Sequence, residues 1–425
     1  MIVDNTPWYE VDGPAPTASP PLDGDATVDA CIVGGGIAGC SAALHLAQAG
    51  HRVLLLEADR VGGAASGRNG GQLIPGAAAS QDVLEGLLGP GDARQVWDCT
   101  VESLALLRDL VSRHGIDCDL APGHLQVAVR PRHDDELRAW QDCLQDRYGY
   151  PHTRLLSRDA LHAHVGSDRY RSGLLDTNGG HLQPLKYVRG LARAAQSAGA
   201  RIHEGTPALS WSREAGRLAI RTERGIVRAR QLLLAGNALL GAFEPRLARR
   251  ILGVGTYVVA TEPLGPEVAA TLLPSQAAVS DCNWILDYFR LSRDHRLLFG
   301  GRVSYSGLEA RAGAAATRRR MLRVFPQLEA VRITHVWGGW LDITRNRAPD
   351  FGRLEADVYY LQGFSGHGVS LAGMAGKLVS EAMSGTAGRF DVFARIPHRA
   401  FPGGAPLRRP ALVLAMLWYR LRDLL

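Results

Sequence analysis

The sequence predicts a mixed α/β fold, part α/β and part α+β, with a doubly wound nucleotide-binding body interleaved with a body built on antiparallel sheet. Three observations carry this expectation. An early strand, glycine turn, helix and second strand end at an acid, Glu57. A second strand, glycine turn and helix recur late, around Gly363 to Met383. Between them, from about 254 to 303, strand-like runs alternate with polar turns.

The elements follow in order. Residues 1–26 are rich in Pro, Asp and Gly and read as an extended arm strapped over the body. Val28 to Val33 is a short apolar run, suited to a buried parallel strand. The helix after Gly39 carries Ala42, Ala43, Leu46, Ala47 and Ala49 and stops at Gly50. Val53 to Leu56 is a second buried strand, which completes a Rossmann-type βαβ unit. Gly62 to Gly76 reads as a glycine-rich loop. Helical periodicity covers Val101 to His114, Asp134 to Tyr148 and Leu185 to Ala198, the last stopped by Gly199. Arg201 to Glu204 reads as a strand. Leu218 to Thr222 and Ile226 to Arg230 form a hairpin turned at Arg224-Gly225, and Gln231 to Ala235 is a separate buried strand. Val254 to Thr261, Trp284 to Leu291 and Arg296 to Val303 fit an antiparallel sheet, and Val358 to Gln362 leads into a helix through Met374 to Met383. The expected division is an arm over 1–26, a discontinuous nucleotide body over 27–82, 153–238 and 343–395, a substrate body over 83–152 and 239–342, and a tail over 396–425.

Composition narrows the function classes. With 425 residues, 46% hydrophobic and 21% charged, the chain is an ordinary globular one. Its net charge of +6 is carried by arginines spread among acids, with Lys186 and Lys377 as the lysines. No aromatic interleaving or nucleic-acid motif accompanies them, so nucleic acid is not an expected partner. The six cysteines form no CxxC pair, and Cys31 and Cys40 lie within the nucleotide motif. That pattern is neither a zinc framework nor a secreted disulfide scaffold, so no metal is expected and a reduced, cytoplasmic setting is. The N-terminus shows no basic and apolar leader pattern. The tail is basic at Arg408-Arg409, then apolar from Ala411 to Trp418. It is too short to span a membrane; it either packs on the body or a partner subunit, or lies on an anionic membrane surface as a peripheral contact.

Three constellations carry chemistry. In Gly34-x-Gly36-x-x-Gly39, the first glycine permits a tight turn and the second lets main chain approach a pyrophosphate. The third lets helix and strand pack closely, while Glu57 is placed to bind ribose hydroxyls. This motif alone leaves NAD and FAD open. The loop Gly62-Gly63-Ala64-Ala65-Ser66-Gly67-Arg68-Asn69-Gly70-Gly71-Gln72 offers many N–H groups for a phosphate or an oxygen-rich ring, with polar heads at Arg68, Asn69 and Gln72. Gly363-Phe364-Ser365-Gly366-His367-Gly368-Val369 opens a helix whose N-terminus suits the electron-rich end of a flavin. His367 is there either a catalytic group or a packing and capping histidine.

With these motifs in view, the chain resembles the FAD-dependent amine and amino-acid oxidoreductases of the D-amino-acid oxidase superfamily, and within them the gamma-glutamylputrescine oxidoreductases. The resemblance spans nearly the whole chain. Its marks are Ala65 to Gln72, Ala260 to Leu264, Leu286 to Leu291, Leu298 to Val303, Trp337-Gly338-Gly339 with Asp342-Ile343-Thr344, Gly363 to Gly368, and Met416 to Asp423. It implies non-covalent FAD, since no cysteine stands near Trp340, where related enzymes attach the flavin. It implies that Gly34, Gly36, Gly39 and Glu57 hold the ADP half, with Ala208 near adenine, and that Ile37, Ala38, Ala58, Gly63, Ser66 and Gly236 also bind the cofactor. Arg68, Asn69, Gly70, Gly71, Gln72, Gly366, His367, Gly368 and Val369 then flank the isoalloxazine. Trp284, Tyr288 and Trp340 are implied substrate contacts, and Arg302, His367 and Tyr288 catalytic groups.

Two departures bear on the substrate. Where sarcosine-type relatives place an oxygen-assisting lysine, this chain has Arg302, which keeps the cation but holds its proton. Where they grip a substrate carboxylate with a lysine two residues beyond Gly-His-Gly, it has Ser370. The first makes amine oxidation a firmer expectation than oxygen reactivity, and the second suits an amine whose reacting carbon bears no carboxylate. The expected reaction is hydride transfer from the carbon beside nitrogen to flavin N5, then imine hydrolysis to an aldehyde, with O₂ or another acceptor taking the electrons. A quinone-linked dehydrogenase of an amino acid or secondary amine, a non-catalytic FAD-binding subunit and an NAD-dependent Rossmann enzyme are the alternatives.

Overall fold

At Gly34 the sheet that carries the nucleotide motif turns from one neighbour to the other. Strand Ala26–Val33 pairs in parallel with Val53–Leu56 on one side and with Ile226–Leu234 on the other. In this computed structural model, which describes residues 6–13, 19–304 and 310–402, those strands belong to an eight-stranded sheet. Its main path runs Asp350–Glu355, Val358–Gln362, Ile226–Leu234, Ala26–Val33, Val53–Leu56, Arg201–His203. The chain builds outward from Ala26–Val33 first to one side and later to the other. That leaves a crevice beyond the carboxyl ends of the strands, where α/β sheets bind ligands.

Parallel strands buried on both faces need continuous apolar runs. Val53–Leu56 is buried at all four positions, as are the five of Val358–Gln362. Helices Ile37–Gln48, Pro184–Ser197 and Gly368–Met383 pack together over one face, and Pro90–Arg113 lies against the last of these.

The second sheet has nine strands, ordered Ile333–Thr344, Ile251–Thr261, Leu297–Ser304, Tyr288–Leu291, Ala278–Asp281, Ala121–Ala128, Ser172–His181, Gln72–Leu73. Thr153–Leu156 pairs with Ser172–His181, so these two strands join the second sheet although they lie within 153–238. Helix Ala310–Val324 packs on Ile251–Thr261, on the sheet face that buries Phe289, Phe299, Phe325 and Met321.

Several expectations change. Ile226–Leu234 is one strand, not two: its first residues pair antiparallel with Arg217–Arg221 and its last parallel with Val358–Gln362. Trp284 lies ahead of its strand, which begins at Tyr288, because residues 282–287 form a turn. The glycine-rich segment 62–76 is not all loop: Ala65–Arg68 is a helical turn and Gln72–Leu73 pairs with Gly180 and His181. The basic and apolar tail expected over Arg408 to Trp418 lies outside the described residues.

The arm differs most. Within 1–26, Trp8–Asp12 is a helical turn, and Trp8 and Tyr9 are buried in the main core. Tyr9 packs edge-on against Trp337, with centroids 5.0 Å apart. Its hydroxyl donates to the Asn69 carbonyl at 3.0 Å and accepts from Arg290 Nη2 at 3.1 Å. Gln183 Nε2 donates to the Tyr9 carbonyl at 3.2 Å. Arg189 pairs with Glu10 at 2.7 Å, and Lys186 with Asp12 at 2.8 Å. A Pro- and Gly-rich composition correctly signals a segment that does not extend a helix, but it is silent on two aromatics that find a slot in the core.

Tyr9→Phe keeps the ring and removes the hydroxyl, leaving the Arg290 donor and the Asn69 carbonyl short of a buried partner. A cost of roughly 1–3 kcal/mol is expected, read as a lower thermal midpoint; an unchanged melting curve would remove the hydroxyl from the account.

Candidate active site

The nucleotide cradle is built from main chain. Gly34 has φ +114°, and a Cβ there would lie 2.7 Å from the Ala235 carbonyl oxygen, so the strand can turn here only without a side chain. A Cβ on Gly39 would lie 2.0 Å from the Gly34 oxygen, which sets how closely helix Ile37–Gln48 meets its strand. Ile37 and Ala38 are buried, so what they offer a ligand is the N–H end of that helix. Ser66 reaches across from the glycine segment, its Oγ accepting from the Ile37 N–H at 3.0 Å.

Glu57 follows strand Val53–Leu56. Its carboxylate accepts from the Gly35 N–H at 2.6 Å and the Asp59 N–H at 2.9 Å. Burial raises its pKa, and the two N–H groups partly oppose that rise. Ala58 is exposed beside it. Ala208 is half-buried in the turn after Thr206, whose N–H donates to the Glu57 carbonyl at 2.8 Å. Gly236 follows Ala235 and is half-buried.

The second constellation fastens itself to the protein. Arg68 Nε donates to the Gly63 carbonyl at 2.8 Å and Nη1 to the Gly338 carbonyl at 3.2 Å. Asn69 caps the Ala65 and Ser66 carbonyls, and its Oδ1 accepts from the Gly71 N–H at 2.8 Å. Gln72 Nε2 donates to the Val279 carbonyl at 2.9 Å. The three heads expected to reach a ligand thus shape the loop, and its presented surface is largely main chain. A cavity of about 490 Å³ opens beside Gly63 and Arg68, bounded by the arm at Pro7 and Glu10 and by Asp59 and Arg60.

The third constellation hangs from a buried carboxylate. Asp342 accepts from the Phe364 N–H at 2.8 Å, and its own carbonyl accepts from the Ser365 N–H at 3.0 Å. Burial lifts its pKa to about 6. Gly366 is exposed with φ +98°, and His367 and Gly368 lead into helix Gly368–Met383, with Val369 and Ser370 buried. His367 Nδ1 and Asn237 Oδ1 are buried polar atoms without a protein partner here. Burial, reinforced by the charge of Arg347, lowers the His367 pKa to about 4, so the imidazole is neutral at ordinary pH.

Tyr288 faces the glycine segment. A Cβ on Gly70 would lie 2.6 Å from its ring and one on Gly300 2.2 Å, so two bare glycines make its slot. Burial raises its pKa, so the phenol stays neutral. Trp284 is 41% exposed and lies under the Arg347 guanidinium, 5.9 Å from ring centre to Cζ. Trp340 is 50% exposed on the outer strand beside Gly253, so neither tryptophan closes a buried pocket wall by itself. Arg302 stands opposite Tyr257 in strand Leu297–Ser304, and its side chain lies outside the described residues. Sequence reasoning gave no role to Tyr9, Arg290, Asn237 or Arg347; Asp342 and Arg290 did stand within quoted motifs, which is the signal that was there to use.

These features fit FAD. Two helix N-termini, an acid at the end of the second strand and unpartnered polar atoms at Asn237 and His367 accompany glycine main chain that is half-buried at Gly34, Gly36, Gly63 and Gly70 and exposed at Gly366. The fold and site define an FAD-dependent oxidoreductase. A family model described as FAD dependent oxidoreductase matches residues 29–382, and the chain belongs to that family. It is 41% identical over 407 residues to gamma-glutamylputrescine oxidoreductase of Escherichia coli (strain K12), covering 95% of this chain and 94% of that protein. It is 37% identical to the probable oxidoreductase OrdL of Rhizobium meliloti (strain 1021), covering 98% and 97%. Glycine oxidase from Geobacillus kaustophilus shares the fold, with a TM-score of 0.72 at 22% identity over 84% of this chain and 95% of that one. Among the described residues no helix is long and apolar enough to cross a membrane.

Two outcomes test the site. Gly39→Ala drives a methyl group into the Gly34 carbonyl and is expected to yield protein without bound flavin, read from the ratio of visible to ultraviolet absorbance. For Asp342 the folded pKa of about 6 exceeds the ordinary value near 4, so the folded state holds the extra proton. Stability from this group is therefore highest below about pH 4 and falls as pH rises toward 6. Asp342→Asn keeps a carbonyl for the Phe364 N–H and should flatten that fall in denaturation midpoints measured across this range.

Proposed function

We propose that this enzyme oxidises a C–N bond of an amine, with gamma-glutamylputrescine as substrate, and passes the electrons to O₂, giving hydrogen peroxide. The carrying observation is the 41% identity to an enzyme of that name across 95% of this chain, on a site whose geometry agrees with it. FAD, held without a covalent link, supplies the two-electron acceptor. The cofactor body is taken from 27–82, from about Pro184 to 238 and from 343–395, because the strands between 153 and 181 belong to the second sheet. The cytoplasm is the proposed setting.

The protein's own part is orientation and dryness. Gly34, Gly36 and Gly39 receive the pyrophosphate on main chain, and Glu57 takes the ribose. The segment Gly63 to Gln72 and the turn Gly366 to Val369 flank the ring. Tyr288 lies against Gly70 as a neutral phenol that orients the amine without adding charge. Ser370 is buried behind the Gly366-His367-Gly368 turn, and no lysine stands there to hold a carboxylate at the reacting carbon. The dry surroundings of Tyr288 lower the amine pKa and favour the uncharged form that can lose a hydride. Neutral His367 presents Nδ1 as a hydrogen-bonding atom, not as a cation. Arg302 keeps a positive charge where relatives use lysine, and it steadies negative charge that develops as oxygen is reduced.

The deciding experiment is an anaerobic spectrum of the flavin-loaded enzyme with gamma-glutamylputrescine, putrescine and amino acids, followed by air. Bleaching by gamma-glutamylputrescine and return of colour with one peroxide per turnover is expected. Bleaching by another amine alone would replace the substrate, and reoxidation by a quinone but not by air would replace the acceptor. Arg302→Met is expected to slow reoxidation by air about tenfold or more while leaving anaerobic bleaching nearly unchanged.

A further inference from the structure

A second cavity, about 740 Å³, opens at the other end of the strand that carries Tyr288. Its inner wall includes Arg290 and His181, its rim Asp117, Asp119, Arg293 and Ala270. Arg290 is 2% exposed, yet no carboxylate among the described residues pairs with it. Its partners are neutral: the Gly70 carbonyl, the Leu291 carbonyl and the Tyr9 hydroxyl. Burial raises the Tyr9 pKa, so the phenol supplies no compensating charge. A buried cation held only by neutral acceptors is costly, and an anion in the adjoining space relieves that cost. Arginine carries five donors, and three are used here, so two remain for such an anion.

His181 supplies the complementary half. Its Nε2 lies 2.9 Å from the Gln276 carbonyl, so that nitrogen carries the proton. Its Nδ1 is then an acceptor, and it is buried without a partner. The ring is neutral, because burial and the charge of Arg290 lower its pKa to about 3. The inner wall therefore needs an anionic acceptor for Arg290 and an N–H donor for His181. At the rim, Arg293 already pairs with Asp117 at 3.3 Å and Asp119 at 3.5 Å, and Lys186 with Asp119 at 2.9 Å.

We propose that this cavity is a binding site for an amino-acid zwitterion, its carboxylate on Arg290 and its ammonium on His181 Nδ1, separate from the flavin cradle. Because Arg290 Nε also holds the Gly70 carbonyl and Gln72 stands opposite His181 in the sheet, occupancy acts on the segment that lies along the flavin. This inference holds whichever amine the enzyme oxidises.

The test is calorimetric titration of the flavin-loaded enzyme with L-glutamate, glutarate and putrescine. Glutarate lacks the ammonium and putrescine the carboxylates. L-Glutamate is expected to bind, with the other two at least about tenfold weaker, and to shift the visible flavin band. Ala270→Trp fills the rim from an exposed position and should weaken glutamate about tenfold or more, with flavin content and melting midpoint unchanged. Absence of binding up to about 10 mM, equal binding of glutarate or putrescine, or glutamate binding untouched by Ala270→Trp would overturn the proposal.

Discussion

Arg290 ties together three parts of the chain that are far apart in sequence. Its guanidinium sits on the second sheet, donates to the Gly70 carbonyl of the glycine segment and to the hydroxyl of Tyr9, and lies 5.7 Å from the centre of the Tyr9 ring. The glycine segment is costly to order, since glycines lose the most freedom, and the internal bonds of Arg68 and Asn69 offset only part of that cost. It is held from outside by Arg290, by the Trp337 indole that donates to the Arg68 carbonyl at 3.0 Å, and by Tyr9 at Asn69. Replacing Arg290 would leave carbonyls and a phenol unsatisfied in the interior, so the placement of the segment, of the N-terminal helical turn and of the second sheet is one constraint.

A parallel joint lies at the distal turn. Asp342 lies near the end of the outer strand Ile333–Thr344 of the second sheet and accepts from the main chain of Phe364, which follows the last parallel strand of the first. A carboxylate kept in so dry a place is costly unless its oxygens are hydrogen-bonded. The cost is offset by the Phe364 N–H, in the turn between the last parallel strand and helix Gly368–Met383. One buried cation thus fastens the glycine segment to the second sheet, and one buried acid fastens the distal turn to it, each satisfied mainly by main-chain groups.

Polar residues in the motifs divide by role in a way their spelling does not reveal. Arg68, Asn69 and Gln72 look like ligand groups in a glycine-dense loop, yet their heads bond to protein carbonyls and N–H groups. His367, by contrast, keeps a buried nitrogen without a protein partner. The difference follows from position: side chains inside a tight loop find main chain within reach, whereas Nδ1 of His367, at the cap of helix Gly368–Met383, is buried away from it.

The sequence by itself determined what depends on neighbours in the chain. The βαβ unit was legible because Gly34, Gly36 and Gly39 are spaced by the geometry of one turn, and Val53 to Leu56 followed by Glu57 gave both a buried strand and its end. The distal strand Val358 to Gln362 and its glycine turn were legible for the same reason, and the quoted motifs sufficed for the family and for FAD. Tertiary structure decided the rest. It showed Ile226–Leu234 as a single strand serving two pairings, drew Thr153–Leu156 and Ser172–His181 into the second sheet, and buried Tyr9 beside Trp337. It also brought Arg290 to Gly70 across more than two hundred residues. Local spacing fixes turns and periodic faces, whereas a buried charge or aromatic ring takes its partner from whichever distant segment the packed core brings within hydrogen-bonding range.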